Sequence, residues 1–273
     1  MTDAVTTTDP AAALSRFRER RELSVAQPLG SLALTTTQWV DSEQQIWGVP
    51  GTWTPLPAGQ SGLMLTAVAA DGIRVDGELV DGEVVIAGKD SDEPGTIVFS
   101  DIRQGFVIAG PAGYALRVWD AESEAITGFG GIDAFDYNPD WVVSARFTET
   151  PGATMPFEHI KDDAARDLEM PGEISFTKDG VDYSLAAIKS GRALQVVFAD
   201  ATSGDSTYSV GRFLFVAPDA EGNVTLDFNH AVLPPCAFSY AFNCPMPPKQ
   251  NRFEVAIEAG EKNVLAKDGT LLH

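Results

Sequence analysis

Asp71-Gly72, Asp76-Gly77 and Asp81-Gly82 cut the chain into pieces too short for helices but long enough for strands. Asp-Gly is a strong hairpin signal, because the tightest two-residue turns need positive φ at both central residues. The segments around these turns are LALTTTQWV, GIRVDGELV, GEVVIAG, GTIVFSD and GFVIAG, rich in β-branched residues. In GIRVDGELV, Ile73 and Val75 alternate with Arg74, the pattern of a sheet with one wetted face. The pattern predicts an all-β fold: antiparallel sheets arranged as two similar packed β-units, sandwich-like or barrel-like, with a short N-terminal helix.

The helix starts at Asp9-Pro10, a side-chain cap followed by a residue whose missing N–H costs nothing in the first turn, and is expected to run to about Leu23. Leu14, Phe17 and Arg21 share one side of it. Arg16, Arg18, Arg20 and Arg21 form a basic cluster in a chain of 39 acidic and 19 basic residues with net charge −20. That field repels phosphate backbones and anionic membranes, so a helix docked through Leu14 and Phe17, its arginines paired with the acidic body, is favoured over a nucleic-acid arm. No nucleic-acid or membrane partner is expected. The start of the chain lacks an apolar segment behind a basic one, no run approaches a membrane span, and a cytoplasmic location is the expectation.

The expected organisation is an N-terminal arm and helix over 1–28, a first β-unit over 29–150, a connector over 151–171 and a second β-unit over 172–273. Trp47–Gly62, with its prolines, glycines and two tryptophans, reads as an ordered loop or strand edge covering something apolar. Gly95–Phe147 and Gly172–Phe228 align with small insertions, pairing Ile97 with Ile174, Phe99 with Phe176, Leu116 with Leu194, Val118 with Val196, Pro139 with Pro218 and Phe147 with Phe228. That suggests an internal duplication. Pro151 and Pro156 close the first unit, and the charged DDAARDLE of the connector reads as one or two helical turns.

Candidate chemistry concentrates after Ala199. DATSGDSTYSVGR carries Asp200, Ser203, Thr207 and Tyr208 and ends on Arg212. Hydroxyls and backbone N–H groups closed by a guanidinium can cradle an anion. The same residues also suit a tight turn capped by Asp200 and Ser203, with Arg212 paired to Asp200 or Asp227. In LDFNHAVLPPCAFSYAFNCPMPP, Asp227 and Asn229 leave the strand on the face opposite Leu226 and Phe228, where they could meet Arg212. His230, Cys236 and Cys244 lack the close pair spacing of a zinc site, and the cysteines read as small buried residues beside Phe238 and Phe242. A Cys236 nucleophile would have only His230 as a plausibly placed base. No P-loop, dinucleotide fingerprint or nucleophile elbow occurs, so no cofactor and no metal is expected.

The order D-x-x-S-G-x-x-T-Y-x-x-G-R-F-L, then L-D-F-N, P-P-C-A-F, N-C-P-M-P-P and N-R-F…I-x-A-G-E resembles a bacterial and archaeal family known only as a domain of unknown function. The matching residues run from Asp200, Ser203, Gly204, Thr207, Tyr208, Gly211 and Arg212 through Asp227, Phe228, Asn229, Cys236 and Cys244 to Asn251, Gly260 and Glu261. The likeness is tight over the last quarter of the chain and looser before it. His230 departs from the pattern, which weakens a histidine-dependent mechanism. The resemblance implies which residues form a unit and assigns no activity.

The expected function is recognition of a small polar or anionic ligand at the second unit, with Arg212 as anchor, Asp200, Ser203, Thr207, Tyr208, Asn229, Cys236 and Asn251 around it. One alternative is a hydrolase or isomerase with Asp227 or Glu261 as general base; another is a protein-interaction or structural module.

Overall fold

The computed structural model describes residues 9–111 and 113–272, with backbone alone for 162–165. The first eight residues of the expected N-terminal arm, and His273, lie outside the described residues. The fold is mostly antiparallel β-sheet with a helix at Pro10–Val25, here called α1. Asp9 caps α1 by accepting from Ala11 N at 3.1 Å, as the Asp-Pro start predicts. No helix among the described residues is long and apolar enough to cross a membrane.

The chain divides into two compact units. Unit one holds residues 1–23, 129–238 and 243–273; unit two holds 24–128 and 239–242. This places the boundary at Gly128/Phe129, where the sequence reading puts it at 150. The physical reason is pairing: the strand Val142–Glu149 is hydrogen-bonded between Gly172–Lys178 and Asn223–Asp227, so it cannot be separated from the later sequence. The proposed duplication straddles that boundary; Ile97 and Ile174, Leu116 and Leu194, and Val118 and Val196 are buried strand positions in both segments, and the correspondence fails at its end. Phe147 lies in a strand while its supposed counterpart Phe228 opens a 3-10 turn. The expected connector is itself structured, as an antiparallel hairpin of Thr154–His159 with Asp162–Glu169, so DDAARDLE is strand and not helix.

Unit two contains a six-stranded and a four-stranded antiparallel sheet. Their buried faces supply a core that includes Trp53, Leu65, Ile73, Ile86, Val107 and Leu116. Asp76 and Gly77, at φ 50° and 90°, form the two-residue turn between Arg74–Val75 and Glu78–Leu79, and Asp76 Oδ1 also accepts from Thr96 N at 2.8 Å. Ile73 and Val75 are buried and Arg74 exposed, as alternation requires. Of the two tryptophans in 47–62, Trp53 is fully buried and Trp47 is 97% exposed.

Unit one is built on a six-stranded sheet in the order Arg212–Val216, Ala193–Phe198, Val181–Ser190, Gly172–Lys178, Val142–Glu149, Asn223–Asp227. The two edge strands are consecutive in the chain. Their connection, 217–222, folds back on itself, with Gly222 N donating to Asp219 O and Asp219 N to Asn223 O, both at 3.0 Å. A flat sheet would hold its edges about five strand spacings of roughly 4.8 Å apart, so the sheet must curl into a half-barrel. Its inner face is filled by aromatic rings: Phe228 meets Phe198 at 5.3 Å, Trp141 at 5.6 Å and Phe253 at 5.9 Å, all edge-on. These contacts leave the middle of the half-barrel as core, so any ligand space in it must lie at an end.

Candidate functional site

Arg212, the expected anchor, opens a strand whose first residue pairs with Phe198. Gly211 precedes it at φ 99°, and a Cβ there would fall 2.2 Å from Phe198 O, so the chain enters this strand only through glycine. The Arg212 side chain is fully buried. Nη2 donates to Asp200 Oδ2 at 2.5 Å and Ile257 O at 2.9 Å; Nη1 donates to Ala259 O and, at 3.3 Å, to Glu261 O. Nε has no partner among the described residues, and the guanidinium lies 5.2 Å from the ring centre of Phe198 and 5.9 Å from that of Phe135. Burial lowers the Arg212 pKa and Asp200 opposes the shift, but a guanidinium stays charged at any physiological pH. Four of its five donors face the protein, and no cleft opens onto it.

The loop before it is closed in the same way. Asp200 Oδ1 accepts from Thr202 N at 2.7 Å and from Thr202 Oγ1 at 2.5 Å, Thr202 and Thr207 hydroxyls meet at 3.0 Å, and Asp200 N donates to Ser203 Oγ at 3.1 Å. Tyr208 donates to Cys236 O at 3.2 Å. Of the two readings open in the sequence, the geometry is that of the capped turn with Arg212 paired to Asp200; the hydroxyls of Thr202, Ser203, Thr207 and Tyr208 all have partners within the protein.

The remaining expected residues fall into separate networks. Asp227 Oδ1 accepts from both nitrogens of Asn229, Asp227 Oδ2 lies 3.0 Å from His230 Nδ1, and Asn229 exchanges hydrogen bonds with the backbone of Asn138. Neither residue is a partner of Arg212. Asn251, fully buried, donates to Ala186 O and Val197 O and accepts from Ala186 N, bridging two neighbouring strands. Glu261 is 3% exposed, accepting from Leu233 N at 2.6 Å and from Arg21 Nε of α1 at 3.1 Å. Burial raises its pKa, with Arg21 the main opposing influence. As general bases Asp227 and Glu261 would both have to abandon protein partners. The hydrogen bonds of these side chains thus fall within unit one.

One opening in unit one lies at an end of the half-barrel. It is a cleft of about 780 Å³ with Phe147, Leu194 and Pro218 among its apolar lining. Gly222 shapes it: at φ 81° its N–H-bearing turn accepts Phe147 N at 2.8 Å through its carbonyl, and an added Cβ would sit 2.9 Å from Phe147 O. Lys189 and Arg192 flank the hairpin turn at Gly191 and enter the lining with Glu149, Glu169, Asp219 and Glu221. Two cations against four carboxylates give the lining −2. Lys189 is spent on Glu169 at 3.3 Å, and Asp219 on Asn223 Nδ2 at 2.9 Å and the backbone of its own turn. Those hydrogen bonds hold the Asp219 carboxyl below its ordinary pKa. Arg192 has no side-chain partner among the described residues, and neither has the Glu149 or Glu221 carboxylate. Sequence reasoning passed over this site. The available signal was Lys189-Ser-Gly-Arg192, two cations at a hairpin tip of a strongly acidic chain.

Among the described residues no three histidine, cysteine, aspartate or glutamate side chains cluster as a metal would require. Residues 127–262 match the family described as "Protein of unknown function (DUF1684)". The match begins beside the Gly128/Phe129 boundary of unit one. A solution NMR structure of an uncharacterized protein of Haloarcula marismortui is similar at 36% identity, over 49% of this chain and 77% of that chain, with a TM-score of 0.41. No curated protein matches the chain.

Proposed function

Taking residues 127–262 as a domain of that family of unknown function, we propose that unit one binds a small zwitterion of amino-acid size in the cleft at the end of its half-barrel. The observation that carries this reading is the Arg192 guanidinium, unengaged by any described residue at the edge of a cleft of about 780 Å³. That volume lies in the ordinary range for small-molecule sites, and barrel mouths are common places for them. Arg192 supplies the planar fork that suits a carboxylate. The net negative lining disfavours a multiply charged anion such as phosphate, whereas Glu149 and Glu221 complement an ammonium group. Phe147, Leu194 and Pro218 offer apolar surface to a short side chain.

Calorimetric titration with leucine tests this, with isocaproate (carboxylate alone) and isoamylamine (ammonium alone) as controls. Leucine should bind more tightly than either control, and Arg192→Ala should weaken it about tenfold or more, the worth of a charge-assisted hydrogen bond. Equal or absent heats for all three would refute the reading. A second reading, protein interaction through unit two, draws support from Trp47: an indole 97% exposed on a hairpin turn is the type of residue that anchors interfaces.

A further inference from the structure

Cys236 and Cys244 are not joined as a disulfide and are almost wholly buried, at 3% and 4% exposure. They are also neighbours: Cys236 N donates to Cys244 Sγ at 3.3 Å. The backbone fixes each from its own side. Pro234 and Pro235 set the 3-10 turn Pro235–Ala237 that presents Cys236. Cys244 lies where the chain runs beside Thr154–His159, with Ile160 N donating to Cys244 O at 3.1 Å and Met246 N to Glu158 O at 2.7 Å. Between the cysteines the chain makes an excursion in which Ser239–Phe242 belong to unit two, so the thiols stand at the two ends of that loop.

We propose that Cys236 and Cys244 are an oxidisable pair that closes to a disulfide on reaction with hydrogen peroxide, clasping the ends of the 237–243 loop. Burial selects the oxidant, because a bulky disulfide cannot approach sulfurs so enclosed, whereas hydrogen peroxide is only one oxygen larger than water. The Cys236 thiolate attacks one peroxide oxygen, the O–O bond breaks, hydroxide leaves, and Cys236 carries a sulfenic acid. The Cys244 sulfur then attacks the Cys236 sulfur, the S–O bond breaks, a second hydroxide leaves, and the S–S bond forms. The two thiol protons convert both hydroxides to water, so two thiols and one peroxide give one disulfide and two waters. The Cys236 thiol is held below its ordinary value chiefly by Cys244, against the effect of burial and with Tyr208 assisting, which favours the thiolate that the first step needs. The short loop, with Cys244 Sγ already 3.3 Å from Cys236 N, makes the second step faster than escape to higher oxides.

The test is brief exposure of the native full-length chain to hydrogen peroxide, then unfolding in an alkylating agent. The expected product has lost two hydrogens, offers no alkylatable thiol, carries a cross-linked Cys236–Cys244 peptide, and regains both thiols with dithiothreitol, which does not reverse methionine oxidation. In Cys244→Ala the resolving sulfur is gone, so dimedone should label Cys236, and in Cys236→Ala it should label Cys244. Two thiols still alkylatable in the wild-type chain, or oxidation seen only as sulfinic acid or intermolecular dimers, would overturn the proposal. The wild-type result decides this even if either variant fails to fold.

Discussion

Arg21 and Glu261 lie 240 residues apart in the chain and form an ion pair at 3.1 Å, with Glu261 only 3% exposed. The pair fastens α1 to unit one, together with Arg18 Nη2 to Phe135 O at 2.5 Å, Arg21 Nη2 to Leu233 O at 2.9 Å and Glu22 Oε1 from Ile132 N at 2.9 Å. Phe17 completes the contact edge-on to His230, at 4.8 Å.

The Glu261 pKa is raised by burial above its value in the unfolded chain, so folding favours its protonated form. The stabilisation from this group is fully present below the unfolded value of about 4.3 and is lost as pH rises through the raised folded value. Arg21 opposes that loss by stabilising the charged form. Arg21→Met should therefore cost roughly 2–3 kcal/mol near pH 8, where a buried carboxylate loses its partner, and distinctly less near pH 5, where Glu261 can take a proton. Urea unfolding at the two pH values measures the difference; a pH-independent cost would contradict it.

Arg212→Met should cost about 3–5 kcal/mol, since Asp200 would remain buried with its charge uncompensated. Adding Asp200→Leu should recover part of that loss. A double-mutant cycle by chemical denaturation reads the coupling directly. A loss under about 1 kcal/mol for the single variant would mean that Arg212 is not the tie described.

Asn251→Ala removes three hydrogen bonds to Ala186 and Val197 at a fully buried position. Each backbone group left unpaired costs about 1–3 kcal/mol, so the variant should be among the most destabilised single substitutions in unit one. Hydrogen exchange at Ala186 should accelerate more than at amides in unit two. Uniform acceleration through the chain would contradict a local role.

Gly211→Ala meets two obstacles at once, a φ of 99° and a Cβ 2.2 Å from Phe198 O. It should lower the thermal midpoint by several degrees more than Gly191→Ala, whose Cβ meets nothing within 4 Å although its φ is also positive. Differential scanning calorimetry of the two variants separates steric from conformational cost.

The features legible in the sequence are those with local causes. Asp9-Pro10 caps α1, Asp76-Gly77 turns a hairpin, and Ile73, Arg74 and Val75 alternate because each depends on residues a few positions away. The unit boundary was not legible, because Val142–Glu149 takes its partners from residues up to Asp227 and hydrophobic patterning does not say which strand pairs with which. DDAARDLE suits a helix by composition and is recruited into a hairpin by Thr154–His159. The full burial of Arg212 was not legible because three of the carbonyls that compensate it, at Ile257, Ala259 and Glu261, belong to backbone whose side chains bear no relation to the guanidinium. The cleft was missed because Arg192 gains meaning only once the 217–222 turn folds beside Phe147.

The most direct test of the binding site is a titration of isotope-labelled protein with leucine, followed by amide chemical shifts. The account predicts saturable shifts at Gly191, Arg192 and Gly222 that vanish in Arg192→Ala, with Asp200 to Tyr208 unmoved. Shifts centred on Asp200 to Tyr208, or no saturable shift in unit one, would contradict it.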